Sequence, residues 1–278
     1  MRAMSSPSNN DPEEWNLVAE AYDRVNVPFM RLFCEEALRL AAPKADAEVL
    51  DVATGPGTLA LLAAPRVAKV VATDFADEML ARLRARIDRE KVANIEALKM
   101  NGQALELGSD RFDAAFSIFG LIFFADRSRG FQELLRVLKP GGVAVVAGWV
   151  PLERMPAMHA LVEGMREAVP DLPRPSGTPP VLSLADPETF HREMTLAGFD
   201  DVNVHLVQRS LTIEGSISDF WEQIVPAHAG LASMRQKVSP DQWQRVAEAC
   251  QRRLEALFGS GPVEFSGEAN LGVGYKSE

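Results

Sequence analysis

Two kinds of hydrophobic spacing alternate along residues 45–150. Short apolar runs, typical of buried strands, occur at 48–53, 69–74, 95–100, 112–118 and 143–149. Between these runs, apolar residues recur three or four positions apart, as on one face of a helix. An example is the set Met79, Leu80, Leu83 and Ile87. Strands that alternate with helices predict a parallel sheet covered by helices on both faces.

The flanking regions have a different pattern. Helical spacing predicts an N-terminal helical cover over residues 12–44, and the polar stretch 1–11 before it is expected to be disordered. After residue 150 the chain predicts helices at 153–168 and 187–197, a proline-rich loop at 170–180, a strand at 202–207, a helical stretch at 218–258 and a last strand at 263–275. We therefore expect one domain over 45–278, with a helical insertion at 216–258 before the last strand.

Composition and charge narrow the class of protein. The chain has 278 residues and a net charge of −10, which argues against a nucleic-acid partner and against binding to anionic lipid. It has no apolar run of membrane-spanning length, and residues 1–11 lack the apolar core of a secretion signal. The two cysteines, Cys34 and Cys250, have no zinc-site spacing. These features predict a soluble cytoplasmic protein without a metal site and allow a homodimer.

A glycine-rich segment follows the first predicted strand. Residues 55–60, Gly-Pro-Gly-Thr-Leu-Ala, fit the pattern G-x-G-x-x-G/A, and Asp74 lies 19 residues after Gly55. Dinucleotide-binding sites have a ribose-binding acid at about this distance. NAD is therefore one candidate ligand, and an NAD(P)-dependent oxidoreductase is one candidate function.

A second carboxylate favours a different ligand. Asp51 lies four residues before Gly55, at the end of the strand, where it would repel a pyrophosphate and suit a cation. A ligand with an ammonium group, a ribose diol and an adenine, but no phosphate, accounts for both Asp51 and Asp74. S-adenosylmethionine is such a ligand.

Five segments in order carry a resemblance to a known family. They are Val-Leu-Asp-Val-Ala-Thr-Gly-Pro-Gly at 49–57, Val-Ala-Thr-Asp at 71–74, Met-Asn-Gly-Gln-Ala-Leu at 100–105, Phe-Asp-Ala-Ala-Phe-Ser at 112–117 and Leu-Lys-Pro-Gly-Gly at 138–142. Together they resemble the motifs of class I S-adenosylmethionine-dependent methyltransferases, and they are most similar to the ubiquinone/menaquinone-type and natural-product small-molecule enzymes. The resemblance covers about residues 48–150 and extends weakly to 200.

The resemblance implies a fold and a cofactor site. The fold would be a Rossmann-like, doubly wound sheet of seven strands, mostly parallel with one antiparallel strand. Asp51 would hold the ammonium group or organise the loop, Gly55 and Gly57 would let the backbone approach the methionine part, and Asp74 would bind the ribose. The other residues expected at the cofactor are Ala53, Pro56, Phe75, Met79, Asn101, Gly102, Gln103, Ser117 and Phe119.

The acceptor half is less specified. After the fourth strand, Ser-Ile-Phe-Gly at 117–120 replaces the Asn/Asp-Pro-Pro-aromatic motif of methyltransferases that act on adenine or glutamine nitrogen. We expect instead a small apolar or aromatic acceptor. Its pocket is predicted to include Phe29, Phe124, Trp149 and Trp221, with His228 or Tyr22 as base and residues 216–232 as a lid. The alternative is a methyltransferase-like protein that binds the cofactor in a regulatory or structural role without turnover.

Overall fold

The computed structural model describes residues 12–170 and 179–278. The expected disordered tail at 1–11 lies outside these residues, as does most of the expected loop at 170–180.

Seven strands form one sheet. They are β1 (Glu48–Val52), β2 (Lys69–Asp74), β3 (Ile95–Lys99), β4 (Phe112–Ile118), β5 (Leu138–Trp149), β6 (Asp200–Ile213) and β7 (Val263–Tyr275). Their order is β3-β2-β1-β4-β5-β7-β6. β1 to β5 pair in parallel, and β7 runs antiparallel to both of its neighbours. The predicted fold class is confirmed.

The strand order reverses between β1 and β4. From β1 the chain moves outward to β2 and β3, and then returns to place β4 on the other side of β1. Ligands in such sheets bind beyond the carboxyl ends of the strands at this reversal. The glycine-rich segment directly follows β1, so the topology places it there.

Ten helices are present in the described residues. They are α1 (Pro12–Val25), α2 (Val27–Ala41), α3 (Thr58–Ala63), α4 (Asp77–Glu90), α5 (Arg127–Val137), α6 (Pro156–Ala168), α7 (Pro187–Ala197), α8 (Ile217–Ala227), α9 (Ala229–Lys237) and α10 (Pro240–Phe258). Pro28 lies in the first turn of α2, where its missing N–H costs nothing. Ser216 and Ser239 begin α8 and α10 with reciprocal capping hydrogen bonds.

Two strands are longer than their sequence pattern predicts. β5 begins at Leu138 rather than 143, because a register shift between Phe112 and Ala114 accommodates the turn residues within the ladder. β6 extends to Ile213 because it pairs with β7 along almost its whole length at the sheet edge. Hydrogen bonding to a neighbouring strand therefore extends both strands beyond their apolar runs.

The inserted region has a core of its own. The sequence indicates one helical stretch, with a face suited to docking on the sheet, but the structure has three helices there. α10 packs mainly on α6, and Val246, Cys250 and Leu254 are buried in this contact. The helices approach closely at Gly164, where an added Cβ would lie 2.8 Å from the backbone of Cys250. The expected docking on the sheet is thus replaced by a second helical core.

The first two helices lie over the carboxyl end of the sheet. α2 packs against β4, β5, β6 and β7, whereas α1 packs against α4, α8 and α9. Asn26, between the two helices, donates a hydrogen bond from Nδ2 to the carbonyl of Ala227 at 3.0 Å. Two helices of the insertion, α8 and α9, therefore pack against α1.

Candidate functional site

A cleft of about 950 Å³, open to solvent, lies at the carboxyl ends of β1, β2 and β4. α1 and α2 form its opposite wall. Eleven of the thirteen residues predicted to bind the cofactor line it, namely Asp51, Ala53, Gly55, Pro56, Asp74, Phe75, Met79, Asn101, Gly102, Gln103 and Phe119.

Asp74, the last residue of β2, is held in place by backbone donors. Its Oδ2 accepts a hydrogen bond from the N–H of Gly55 at 2.8 Å, and its Oδ1 accepts one from Ala76 at 2.9 Å. Burial raises its pKa, and these hydrogen bonds oppose the rise. Each carboxylate oxygen keeps further acceptor capacity. Asp74 can therefore fix the glycine loop and still accept hydrogen bonds from a ribose diol.

The glycine loop is a tight turn in which the two glycines have different roles. Gly55 has a φ of +56° and faces the cleft, and a Cβ there would have Met79 Sδ, at 4.0 Å, as its nearest neighbour. Gly57 has a φ of +83°, and a Cβ there would lie 2.2 Å from Leu83 Cδ1. Gly57 does not line the cleft. The structure thus corrects its expected role, because Gly57 makes room for α4 rather than for the cofactor.

Asp51 supplies the second carboxylate of the cleft. Its side chain is buried and accepts a hydrogen bond from Thr54 Oγ1 at 2.5 Å. Burial raises its pKa to about 7, and the nearby negative charge of Asp74 adds to the rise. A cationic group in the cleft would lower that pKa again and stabilise the carboxylate. The pair of acids fits a ligand that has both an ammonium group and a diol.

The expected adenine side of the cleft is built by the loop after β3. Asn101 Oδ1 accepts a hydrogen bond from the N–H of Gln103 at 2.9 Å, which closes the loop locally. Gly102 is required by packing, since a Cβ there would lie 2.4 Å from the ring of Phe124. Phe124 follows β4, and its ring packs against this loop and also lines the cleft. It therefore lies next to residues expected at the adenine, whereas the sequence pattern assigns it to the acceptor pocket.

The end of β4 contains strained backbone. Phe119 has a φ of +61° and Ala53, at the end of β1, a φ of +55°, both rare for residues with a side chain. A Cβ added at Gly120 would lie 2.4 Å from that of Ala53, so the two strand ends approach closely. Such strain is concentrated at functional sites. Ser117 is predicted to line the cleft, but it lies behind this wall. Its Oγ accepts a hydrogen bond from the N–H of Leu121 at 3.1 Å.

Three of the four predicted acceptor residues lie outside the cleft. The ring of Trp149 stacks on Phe119 at 3.9 Å between centroids, and Phe29 lies parallel to Trp149 at 6.5 Å. They form layers behind Phe119. Trp221 stacks on Trp243 at 5.7 Å in the second core. Their sequence positions are near the expected pocket, but packing directs their rings away from it.

The two predicted bases have different surroundings. His228 caps α9, where its Nδ1 accepts the N–H of Leu231 at 3.3 Å, and burial lowers its pKa. It does not line the cleft, so the structure does not support a role as base. Tyr22 lines the cleft, but burial strongly raises its pKa, with further contributions from Cys34 and Asp74. Its phenol is therefore neutral near pH 7 and can donate a hydrogen bond.

Several lining residues were missed by sequence reasoning. On α1, Trp15 lies seven positions before Tyr22, and its ring meets Phe123 edge-on at 5.0 Å. On α2, Met30 and Cys34 are four positions apart and both face the cleft. The helical spacing of these pairs was a usable signal, because residues at i, i+4 and i+7 share a face.

The segment that forms most of the cleft is similar in sequence to known methyltransferases. The profile of the methyltransferase domain family matches residues 49–142. The demethylmenaquinone methyltransferase of Thermus thermophilus is 34% identical over 179 residues, covering 59% of this chain and 79% of that protein. An uncharacterized protein of Mycobacterium tuberculosis is 36% identical over 126 residues, covering 45% of this chain and 46% of that protein. The chain thus spans about half the length of the mycobacterial relatives it matches.

A solved structure shows the same fold. The YcgJ protein of Bacillus subtilis superposes with a TM-score of 0.56 at 18% identity, covering 88% of this chain and 98% of that one. The chain belongs to the class I S-adenosylmethionine-dependent methyltransferases. The expected family and its cofactor, S-adenosylmethionine, are confirmed.

The described residues contain neither a membrane-spanning helix nor a cluster of metal-binding side chains. None of their helices is long and apolar enough to cross a membrane. Within the same residues, no group of three or more His, Cys, Asp or Glu side chains could hold a metal ion.

Proposed function

We propose that the protein transfers a methyl group from S-adenosylmethionine to a small apolar or aromatic metabolite. One observation carries this proposal. Beyond its two carboxylates, the cleft wall is aromatic and sulfur-rich, with Trp15, Tyr22, Met30, Cys34 and Phe123 on the acceptor side. Over residues 12–170 and 179–278, no Lys, Arg or His lines the cleft. An anionic acceptor would therefore lose its hydration without gaining a counter-charge from the protein.

The residues of the chain have separable tasks in this proposal. When bound, S-adenosylmethionine supplies a methyl group already activated by a sulfonium. Asp51 holds the ammonium group of the cofactor, and Asp74 holds its ribose diol. Phe119 and Phe123 shield the reacting groups from water, and alignment of the acceptor in the cleft contributes most to the rate. Tyr22 is a neutral phenol that orients the acceptor by donating a hydrogen bond. Because it does not remove a proton near pH 7, the acceptor must bring a nucleophile that reacts without a base from the protein.

The relatives suggest a first acceptor to test. Several are named demethylmenaquinone methyltransferases, including those of Thermus thermophilus and Clavibacter sepedonicus. A reduced naphthoquinone that lacks the ring methyl group is aromatic and uncharged, and its electron-rich ring carbon can attack the methyl group as a neutral nucleophile. The proton on that carbon is lost to solvent after the transfer. It therefore has the chemistry that this cleft favours.

The test is methyl transfer from labelled S-adenosylmethionine to two acceptors of opposite character. A short-chain demethylnaphthoquinol represents the apolar class, and phosphoethanolamine represents the anionic class. We expect label in the quinol and none in phosphoethanolamine. Preferential labelling of phosphoethanolamine would contradict the proposed acceptor class. Tight binding of S-adenosylhomocysteine without turnover on a broad panel of apolar acceptors would favour the non-catalytic alternative.

A further inference from the structure

One face of α4 cradles the glycine loop. Met79, Leu83 and Arg86 are spaced at i, i+4 and i+7 and therefore share that face. Met79 lies next to Gly55, and Leu83 occupies the space that a Cβ on Gly57 would need. The third residue of this face is charged and has no role in the proposed function.

Arg86 contacts both the glycine loop and α1. Its Nη1 lies 3.3 Å from the carbonyl oxygen of Pro56, in the glycine loop, and 3.4 Å from Oδ1 of Asp23, on α1. The side chains of Arg86 and Asp23 are only 17% and 28% exposed. A single guanidinium thus joins the helix that covers the cleft to the loop that forms its floor.

Other polar contacts join the same two helices without reaching the loop. Arg82 pairs with Glu20 at 3.2 Å, with side chains 37% and 77% exposed. The N–H of Glu78 donates to Asn16 Oδ1 at 3.1 Å. Arg82 therefore provides a matched comparison, since it lies one helical turn before Arg86 and makes the same type of ion pair to α1.

We propose that Arg86 is a positioning residue that couples the seating of α1 to the conformation of the glycine loop. With α1 seated, Asp23 orients the guanidinium and the guanidinium holds the Pro56 carbonyl, which keeps Gly55 in place for the cofactor. When α1 lifts, the loop loses part of this support and the cofactor leaves faster. The inference rests on the proposed function only in taking this cleft as the cofactor site.

The first experiment compares Arg86→Ala with Arg82→Ala. Binding of S-adenosylhomocysteine is measured by titration calorimetry, and its release by stopped-flow tryptophan fluorescence. We expect release to be about tenfold faster in Arg86→Ala and within about twofold of wild type in Arg82→Ala, since coupling effects of this size are ordinary. Thermal unfolding followed by circular dichroism establishes that each variant is folded.

The second experiment tests the coupling itself. Asp23→Asn alone is expected to speed release about threefold, but to have no further effect in the Arg86→Ala background, because the two residues act as a unit. Arg86→Lys should restore part of the slow release, because it keeps the charge but loses the fork that reaches both partners. If Arg86→Ala does not fold, Arg86→Lys and Asp23→Asn provide the same comparison.

The outcomes separate this inference from the proposed function. Equal release rates for Arg86→Ala and Arg82→Ala would overturn it, as would additive effects of Asp23→Asn and Arg86→Ala. A wild-type chain that does not bind S-adenosylhomocysteine would overturn the proposed function as well. Failure of all acceptors in the methyl-transfer assay would leave the release measurements, and therefore this inference, unaffected.

Discussion

The cofactor cleft and the helical core of α6, α8 and α10 differ in what determines their geometry. In the cleft, hydrogen bonds between specific polar atoms determine the geometry. For example, the Asp74 oxygens accept hydrogen bonds from the N–H groups of Gly55 and Ala76. In the helical core, apolar contacts do so, with Phe220, Trp221 and Leu254 buried together. A polar contact depends on one residue type at one position, whereas apolar packing tolerates exchange of residues of similar volume.

This difference explains which predictions succeeded. The motif at 49–57 correctly predicts that Asp51 and Gly55 line the cleft. The prediction works because few other residue types could replace a carboxylate or a glycine at these positions. The helical pattern at 218–258 indicates helices, but the same apolar face could pack on a sheet or on another helix. We therefore expect substitutions in the cleft to change cofactor affinity and those in the helical core to change stability.

The largest effect on cofactor affinity is expected from Gly55→Val. The branched side chain would enter the cleft, and the positive φ adds a strain of about 1–3 kcal/mol. Binding of S-adenosylhomocysteine should become undetectable by calorimetry. Gly259→Val is the control, because Gly259 also has a positive φ, of +72°, but has open space around it, remote from the cleft. If both variants bind normally, the loop holds something else.

Asp74→Ala should weaken cofactor binding by about 1.5–3 kcal/mol, roughly 10- to 150-fold, through loss of charge-assisted hydrogen bonds. Part of the effect arises because Gly55 and Ala76 lose their acceptor. Asp77→Ala is the matched control, since Asp77 is exposed on the next helix and pairs with Lys99 at 2.6 Å. Unchanged affinity of folded Asp74→Ala in a calorimetric titration would reject the ribose assignment.

Asp51 should make cofactor affinity depend on pH. Its pKa of about 7 in the free cleft means that binding of a cation requires loss of a proton below that pH. Affinity for S-adenosylmethionine should therefore rise by at most about tenfold per pH unit until about pH 7–8, and then level off. Asp51→Asn should bind more weakly and lose this dependence. A pH-dependent affinity that survives in Asp51→Asn would assign the proton to another group.

The same residue should have an opposite effect on stability. The pKa of Asp51 is raised from 3.8 to about 7 in the folded protein. Between about pH 4 and 7 the folded state therefore keeps a proton that the unfolded state has lost. The free energy of unfolding of the cofactor-free protein should thus fall as the pH rises through this range. Asp51→Asn should therefore increase the free energy of unfolding at pH 8 by on the order of 2 kcal/mol. A thermal unfolding series without cofactor measures this, and a lower Tm for the variant at pH 8 would contradict it.

Trp221→Ala should change stability with little effect on the cofactor. Emptying this buried site should cost about 3–5 kcal/mol of unfolding free energy. Cofactor affinity should stay within about threefold, because distant sites rarely couple strongly. Denaturant unfolding and calorimetry separate the two effects. A large loss of acceptor affinity, with unchanged cofactor affinity and near-normal stability, would support the predicted lid at 216–232.

The smallest effect is expected from His228→Ala. Loss of the cap on α9 should cost about 1 kcal/mol of stability. Turnover should remain within about threefold of wild type, because the imidazole does not reach the cleft, whereas loss of a true base would reduce it by about 10²- to 10⁴-fold. A rate assay at matched temperature decides between these outcomes.

The amino-acid sequence by itself determined the sheet, the glycine loop and the two acids. The strand-forming runs and Gly55 determine local backbone conformation. Asp51 and Asp74 provide carboxylate oxygens that other residue types lack. Tertiary structure decided where the aromatic rings and the helices of the insertion would lie. Trp149 and Trp221 face other side chains rather than the cleft, and Trp15 and Cys34 face it, because packing between helices depends on shapes contributed from distant parts of the chain.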